Sequence, residues 1–126
     1  MALIAIIDDD PDILDASSLV LTAKGYEVVT ANNPDDGYRI VKEKKPALII
    51  LDVMMAEPDD GFFLAQKFRR ENLEIPILMY TSVSKALGFE FAAGELVPVD
   101  DFVEKPISPA TLIDKVEKLL QLHYKE

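Results

Sequence analysis

The sequence predicts an α/β domain: a five-stranded parallel sheet with helices on both faces. Short apolar runs alternate with amphipathic stretches, and no linker or low-complexity segment interrupts them. The amphipathic stretches also carry helix-start signals, a capping side chain followed directly by proline. At 126 residues the chain fits one domain, residues 1–126, able to bury roughly two thirds of its unfolded surface.

The first strand is expected from Leu3 to Ile7, closed by Asp8, Asp9 and Asp10. Asp10-Pro11 then opens a helix in which Ile13, Leu14, Ser17, Leu21 and Lys24 follow the helical period, and Gly25 ends it. A second strand from Tyr26 to Thr30 leads to Asn33-Pro34, the next cap-proline pair. The third strand, Ala47 to Leu51, runs into Asp52. A third helix is expected from Asp60 to Glu71, with Phe63, Leu64 and Phe68 facing the sheet. The fourth strand spans Ile75 to Tyr80, with Pro76 placed early, where a missing donor does least harm. A short fourth helix from Ser84 to Phe91 follows, and then a stretch from Ala92 to Asp100 with neither helical period nor alternation. The fifth strand, Asp101 to Val103, is weaker. Ser108-Pro109 opens the last helix, whose stripe is Leu112, Ile113, Val116, Leu119 and Leu120.

Composition excludes several functions. Thirteen Lys and Arg against 23 Asp and Glu give a net charge of −10, which opposes nonspecific affinity for nucleic acid or anionic membrane. The absence of cysteine removes disulfides and thiolate zinc ligation. The first apolar run lacks the flanks of a signal peptide, and no stretch approaches the ~20 apolar residues of a membrane span. The expectation is a soluble cytoplasmic protein, a single domain with no output domain.

In an open parallel sheet, ligands bind beyond the carboxyl ends of the strands, where strand order reverses. The loops at that edge hold Asp8-Asp9-Asp10, then Asp52 to Glu57, then Thr81-Ser82, then Glu104-Lys105-Pro106. Carboxylates ending two neighbouring buried strands repel one another at a cost unless a cation joins them. Hard carboxylate oxygens suit Mg²⁺ or Mn²⁺, which retain positions for water and phosphate oxygens. A lysine and a hydroxyl nearby would neutralise the remaining phosphoryl oxygens, and a carboxylate could itself accept the group.

Four motifs now stand in order at four strand ends: Ile-Ile-Asp-Asp-Asp-Pro at 6 to 11, Leu-Ile-Ile-Leu-Asp-Val-Met-Met at 48 to 55, Ile-Leu-Met-Tyr-Thr-Ser at 77 to 82, and Asp-Phe-Val-Glu-Lys-Pro at 101 to 106. Together they resemble the receiver domain of bacterial two-component response regulators, of the single-domain chemotaxis-regulator kind, over essentially the whole chain. The resemblance implies a flavodoxin-like sheet of order 2-1-3-4-5 with five helices; a receiver protein is itself the standard example of that order. It implies that Asp52 is the phosphoacceptor and that Asp9 and Asp52 ligate Mg²⁺ directly. Asp8 would act through water, and the main-chain carbonyl of Met54 would be a further ligand. Thr81 would hydrogen-bond the phosphoryl group, Lys105 would pair with it, and the Lys105–Pro106 peptide would be cis. Thr81 and Phe102 would form the switch, with Phe102 in the aromatic position. The implied partners are a histidine kinase or phosphotransfer protein upstream. Downstream, a protein target would bind the face made by the fourth helix, fifth strand and last helix. Such a domain is a self-phosphorylating substrate rather than an enzyme, either monomeric or a phosphorylation-dependent dimer.

Other readings concern particular residues. Asp10 is chiefly the cap of the first helix, because Pro11 follows it directly. Met54 and Met55 are packing residues first, and His123, near the end of the last helix, has no other feature supporting a phosphate-carrying role. The segment from Met55 to Gly61 is longer than usual for the family and adds three acids, and the chain from Thr81 to Lys105 is longer too. Met54 and Val83 flank the expected water path with apolar side chains, which predicts slow autodephosphorylation. Two alternatives remain: a metal-dependent small-molecule phosphatase using Asp8 and Asp10, and a receiver-like scaffold that takes no phosphate.

Overall fold

In the computed structural model, which describes residues 2–52, 60–71, 73–81, 100–104 and 108–124, five strands form one parallel sheet. They are β1 (Leu3–Ile7), β2 (Glu27–Ala31), β3 (Leu48–Asp52), β4 (Ile77–Thr81) and β5 (Asp101–Glu104), in the spatial order β2-β1-β3-β4-β5. The chain moves outward from β1 to β2, then crosses back to place β3 on the other side of β1. Strand order therefore reverses between β1 and β3, and the crevice beyond their carboxyl ends is where the topology puts a site.

Among the described residues four helices cover the sheet: α1 (Pro11–Ala23), α2 (Pro34–Lys44), α3 (Asp60–Arg70) and α4 (Pro109–Tyr124). Side chains alternate along each strand, so β1 sends Ile4 and Ile6 to one face and Ala5 and Ile7 to the other. On one face Ala5, Ile7, Ile49, Leu51 and Met79 pack with Val41 of α2 and Leu64, Ala65 and Phe68 of α3. On the other, Ile4, Ile6, Leu48, Ile50 and Tyr80 pack with Leu21 of α1 and Leu112, Val116 and Leu119 of α4. Burial on both faces is why β1 and β3 read as unbroken apolar runs.

The cap-proline signals mark real helix starts. Asp10 accepts the Asp12 N–H at 2.9 Å and Asn33 accepts the Asp36 N–H at 2.8 Å, in each case with proline opening the helix. Gly25 leaves α1 at φ 95°, a left-handed value that glycine adopts without steric cost. Its N–H and that of Tyr26 bond back to Thr22 and Leu21, which draws Tyr26 into the turn and starts β2 one residue later than expected.

Further expectations are corrected: β3 starts at Leu48 rather than Ala47, α3 stops at Arg70 rather than Glu71, and β5 runs on to Glu104. β3 ends on Asp52 itself, and β4 begins at Ile77 rather than Ile75. Pro76 has no N–H to give, so it precedes the strand and contributes only its carbonyl, which accepts from Ile49 N–H at 3.0 Å. Phe63 does not face the sheet: it is 60% exposed, while Leu64, Ala65 and Phe68 are buried. At about 100° per residue, Phe63 lies roughly 120° around the helix from the middle of the stripe formed by Leu64 and Phe68, whereas Ala65 lies only about 80° from it and takes the inward place. The helix expected from Ser84 to Phe91 and the stretch from Ala92 to Val99 lie outside the described residues.

Candidate functional site

β1 and β3 are paired in register, Ile7 beside Leu51, so the residues that follow them emerge side by side at the switch point. There the carboxylates of Asp8, Asp9 and Asp52 each offer an oxygen within 4.8 Å of the others. Asp8 is 1% exposed and Asp52 6%, whereas Asp9 faces solvent. The Asp8 backbone is tied to the neighbouring strand by its N–H donating to Ala31 O at 3.1 Å. Its side chain is oriented by the Asp10 N–H, which donates to Asp8 Oδ1 at 2.9 Å.

The three consecutive aspartates thus have different positions. Asp8 turns inward, Asp9 stands at the rim, and Asp10 points its carboxylate at the first turn of α1. An all-oxygen donor set with two buried carboxylates and one exposed to solvent matches what a small divalent cation such as Mg²⁺ or Mn²⁺ takes, with water in the remaining positions. The same set is poor for zinc, because it contains no nitrogen or sulfur.

Register also places the neighbours. Asp52 pairs with Tyr80 of β4, so Thr81 lies one residue further toward the same edge, where its backbone pairs with Glu104 at the end of β5. Phe102 pairs with Met79 within the sheet. The side chains of Thr81 and Phe102 lie outside the described residues, as do Met54, Met55, Ser82, Val83, Lys105 and Pro106. His123 falls in the last turn of α4.

Two polar clusters have no local signature in the sequence. Tyr38 Oη lies 2.8 and 2.9 Å from the two carboxylate oxygens of Glu71, and Lys42 Nζ donates to the same carboxylate at 2.8 Å, joining α2 to the end of α3. The Lys42 ammonium, then the Tyr38 hydroxyl, hold the Glu71 carboxyl below its ordinary value. Asp100 accepts from Arg69 and from the Ile77 N–H at 2.8 and 2.7 Å, tying the start of β5 to α3 and β4. Partners 23 to 33 residues apart leave no spacing to read.

The family model for the response regulator receiver domain matches residues 4–117. The chain is 34% identical over 118 residues to the probable transcriptional regulator ycf27 of Porphyra purpurea, covering 94% of this chain and 47% of that protein. It is 33% identical over 122 residues to the alkaline phosphatase synthesis transcriptional regulatory protein PhoP of Bacillus subtilis, covering 94% and 48%. The chain therefore spans about half the length of these curated relatives. Among solved structures it is similar to a CheY-like response regulator receiver domain protein from Methanospirillum hungatei, with a TM-score of 0.84 and 25% identity over 99% of this chain and 98% of that one. It also resembles NtrX from Brucella abortus, with a TM-score of 0.84 and 27% identity, covering 96% of this chain and 26% of that one. With its flavodoxin-like sheet and an acidic group at the switch point, the chain belongs to the response regulator receiver domains, the phosphoacceptor signalling modules of two-component systems.

Proposed function

We propose that Asp52 takes a phosphoryl group from a histidine on a partner kinase or phosphotransfer protein, with Mg²⁺ or Mn²⁺ held by the acidic group. The observation that supports this most is the convergence of Asp8, Asp9 and Asp52 at the strand-order reversal. In this reading Asp9 and Asp52 would hold the metal directly, Asp8 through water, and the Met54 carbonyl would add a ligand. One Asp52 carboxylate oxygen attacks phosphorus and the N–P bond of the phosphohistidine breaks with its electron pair staying on nitrogen; the ring leaves as neutral imidazole when its other nitrogen already carries a proton, and otherwise takes a proton from solvent. When bound, a divalent cation would supply positive charge against the transferring group. Lys105 and the Thr81 hydroxyl contact the remaining phosphoryl oxygens.

The added charge, about −1.5 to −2, draws Thr81 inward and repacks Phe102, which alters the expected face of the helix from Ser84 to Phe91 with β5 and α4. Output passes to a protein bound there, in a cytoplasmic setting. Apolar Met54 and Val83 give the hydrolytic water no hydrogen-bonding partner, so the phosphorylated form decays slowly. The alternative phosphatase reading needs Asp10 as a free second carboxylate, whereas that side chain caps α1.

Incubation with a small-molecule phosphodonor and Mg²⁺ tests the assignment. The wild type is expected to gain one phosphate by intact-mass spectrometry, and chelation or Asp52→Asn to abolish the gain. Equal labelling of Asp52→Asn would refute it.

A further inference from the structure

Gly37 sits inside α2, one turn beyond the Asn33 cap, and donates its N–H to Asn33 O at 3.0 Å. Glycine in a helix interior costs about 1 kcal/mol relative to alanine. Gly25 is the glycine with a left-handed backbone among the described residues, so Gly37 is not there for its φ. It is there for space. A Cβ on Gly37 would stand 2.8 Å from both Cδ1 and Cγ2 of Ile7, and 3.1 Å from Cγ1.

Ile7 is fully buried and is the last residue of β1. It is held between Ala31 and Leu51 in the ladder, and the next residue, Asp8, bonds through its N–H to Ala31 O. A side chain at position 37 must therefore push α2 off the sheet or shift Ile7. Cγ2 and Cγ1 branch directly from Cβ, so relieving both contacts shifts Ile7 at its root, and a shift that carries its backbone passes to Asp8, the next residue, which enters the acidic group. We infer that Gly37 is a positioning residue for that group: its bare Cα lets α2 rest on Ile7 and so sets where the Asp8 carboxylate stands. The inference rests on the Mg²⁺ reading proposed above.

Mg²⁺ titration of the full chain by calorimetry tests it, using wild type, Asp52→Asn, Gly37→Ala, Ile7→Ala and the Gly37→Ala/Ile7→Ala pair. Gly37→Ala is expected to weaken Mg²⁺ binding about tenfold, the lower end for residues that orient metal ligands. Ile7→Ala removes all three crowding atoms, so adding Gly37→Ala to it should change Mg²⁺ affinity less than about twofold. Wild-type affinity in folded Gly37→Ala would overturn the inference, as would an equal loss in the Ile7→Ala background. Should Gly37→Ala alone not fold, the pair decides: it must fold and bind Mg²⁺ as Ile7→Ala does, and weaker binding or failure to fold overturns the claim. If wild type binds no Mg²⁺, the metal reading fails first and this inference falls with it. Binding by wild type that is lost in Asp52→Asn locates the metal at the acidic group, so that the Gly37→Ala result then bears on Gly37 alone.

Discussion

Phe63 and Phe68 are the same residue type on the same helix, five positions apart, and the fold uses them oppositely. Phe68 is fully buried and stacks on Tyr38 with ring centroids 6.1 Å apart and planes 6° from parallel, while Phe63 is 60% exposed. Removing a buried aromatic forfeits its transfer energy and leaves a cavity, so Phe68→Ala should cost about 3–5 kcal/mol. Phe63→Ala should cost about 1 kcal/mol or less. Urea unfolding of the two variants measures both, and similar losses would contradict the assigned helix face. Both phenylalanines satisfy the loose spacing of an apolar stripe. What separates them is the short side of the helix that Ala65 fills, and alanine is a weak sequence signal because it suits either face.

At the scale of elements, α2 and α3 are joined by a small electrostatic clamp. Glu71 bonds to Lys42 and Tyr38, Lys67 Nζ lies 4.0 Å from the Tyr38 ring centroid, and the Tyr38 ring rests on Phe68. Lys42 first, then Tyr38, lower the Glu71 carboxyl from its ordinary 4.5. A carboxyl with a depressed folded value stabilises above its unfolded value and loses that contribution as pH falls through the folded one. Acidification below about pH 4.5 should therefore weaken the clamp. Because Lys42 and Glu71 remain partly open to solvent, the effect is small and screened by salt. Glu71→Gln should flatten this part of the acid limb in thermal melts at low ionic strength. An unchanged limb would show that the clamp contributes nothing measurable. Local pattern could locate α2 and α3 but not this contact between them, since it depends on how the helices lie across the sheet.

For the molecule as a whole, acid is concentrated beyond the carboxyl ends of the strands in a chain of net charge −10. A ligand that binds the folded state alone stabilises it by mass action, about 2.7 kcal/mol at one hundred times its Kd. Mg²⁺ should thus raise the melting temperature well beyond what a monovalent salt of equal ionic strength achieves. Asp52→Asn should lose that Mg²⁺-specific increment while melting higher than wild type in chelator, because one of three crowded carboxylates is neutralised. Equal Mg²⁺ effects on the two proteins would remove the acidic group as the metal site.

Much of this protein was already legible as a string of residues. Buried parallel strands need continuous apolar runs, capped helices need Asp10-Pro11 and Asn33-Pro34, and a switch-point site needs carboxylates where those runs end. All three requirements are local in the chain. Tertiary structure alone decided the rest, because those outcomes depend on distances between elements far apart in sequence. It turned Asp8 inward and left Asp9 at the rim, chose Phe68 over Phe63, and joined Glu71 to Tyr38 and Arg69 to Asp100. It also gave Gly37 its purpose, since nothing near a glycine in a helix announces the isoleucine 30 residues earlier whose side chain occupies the space.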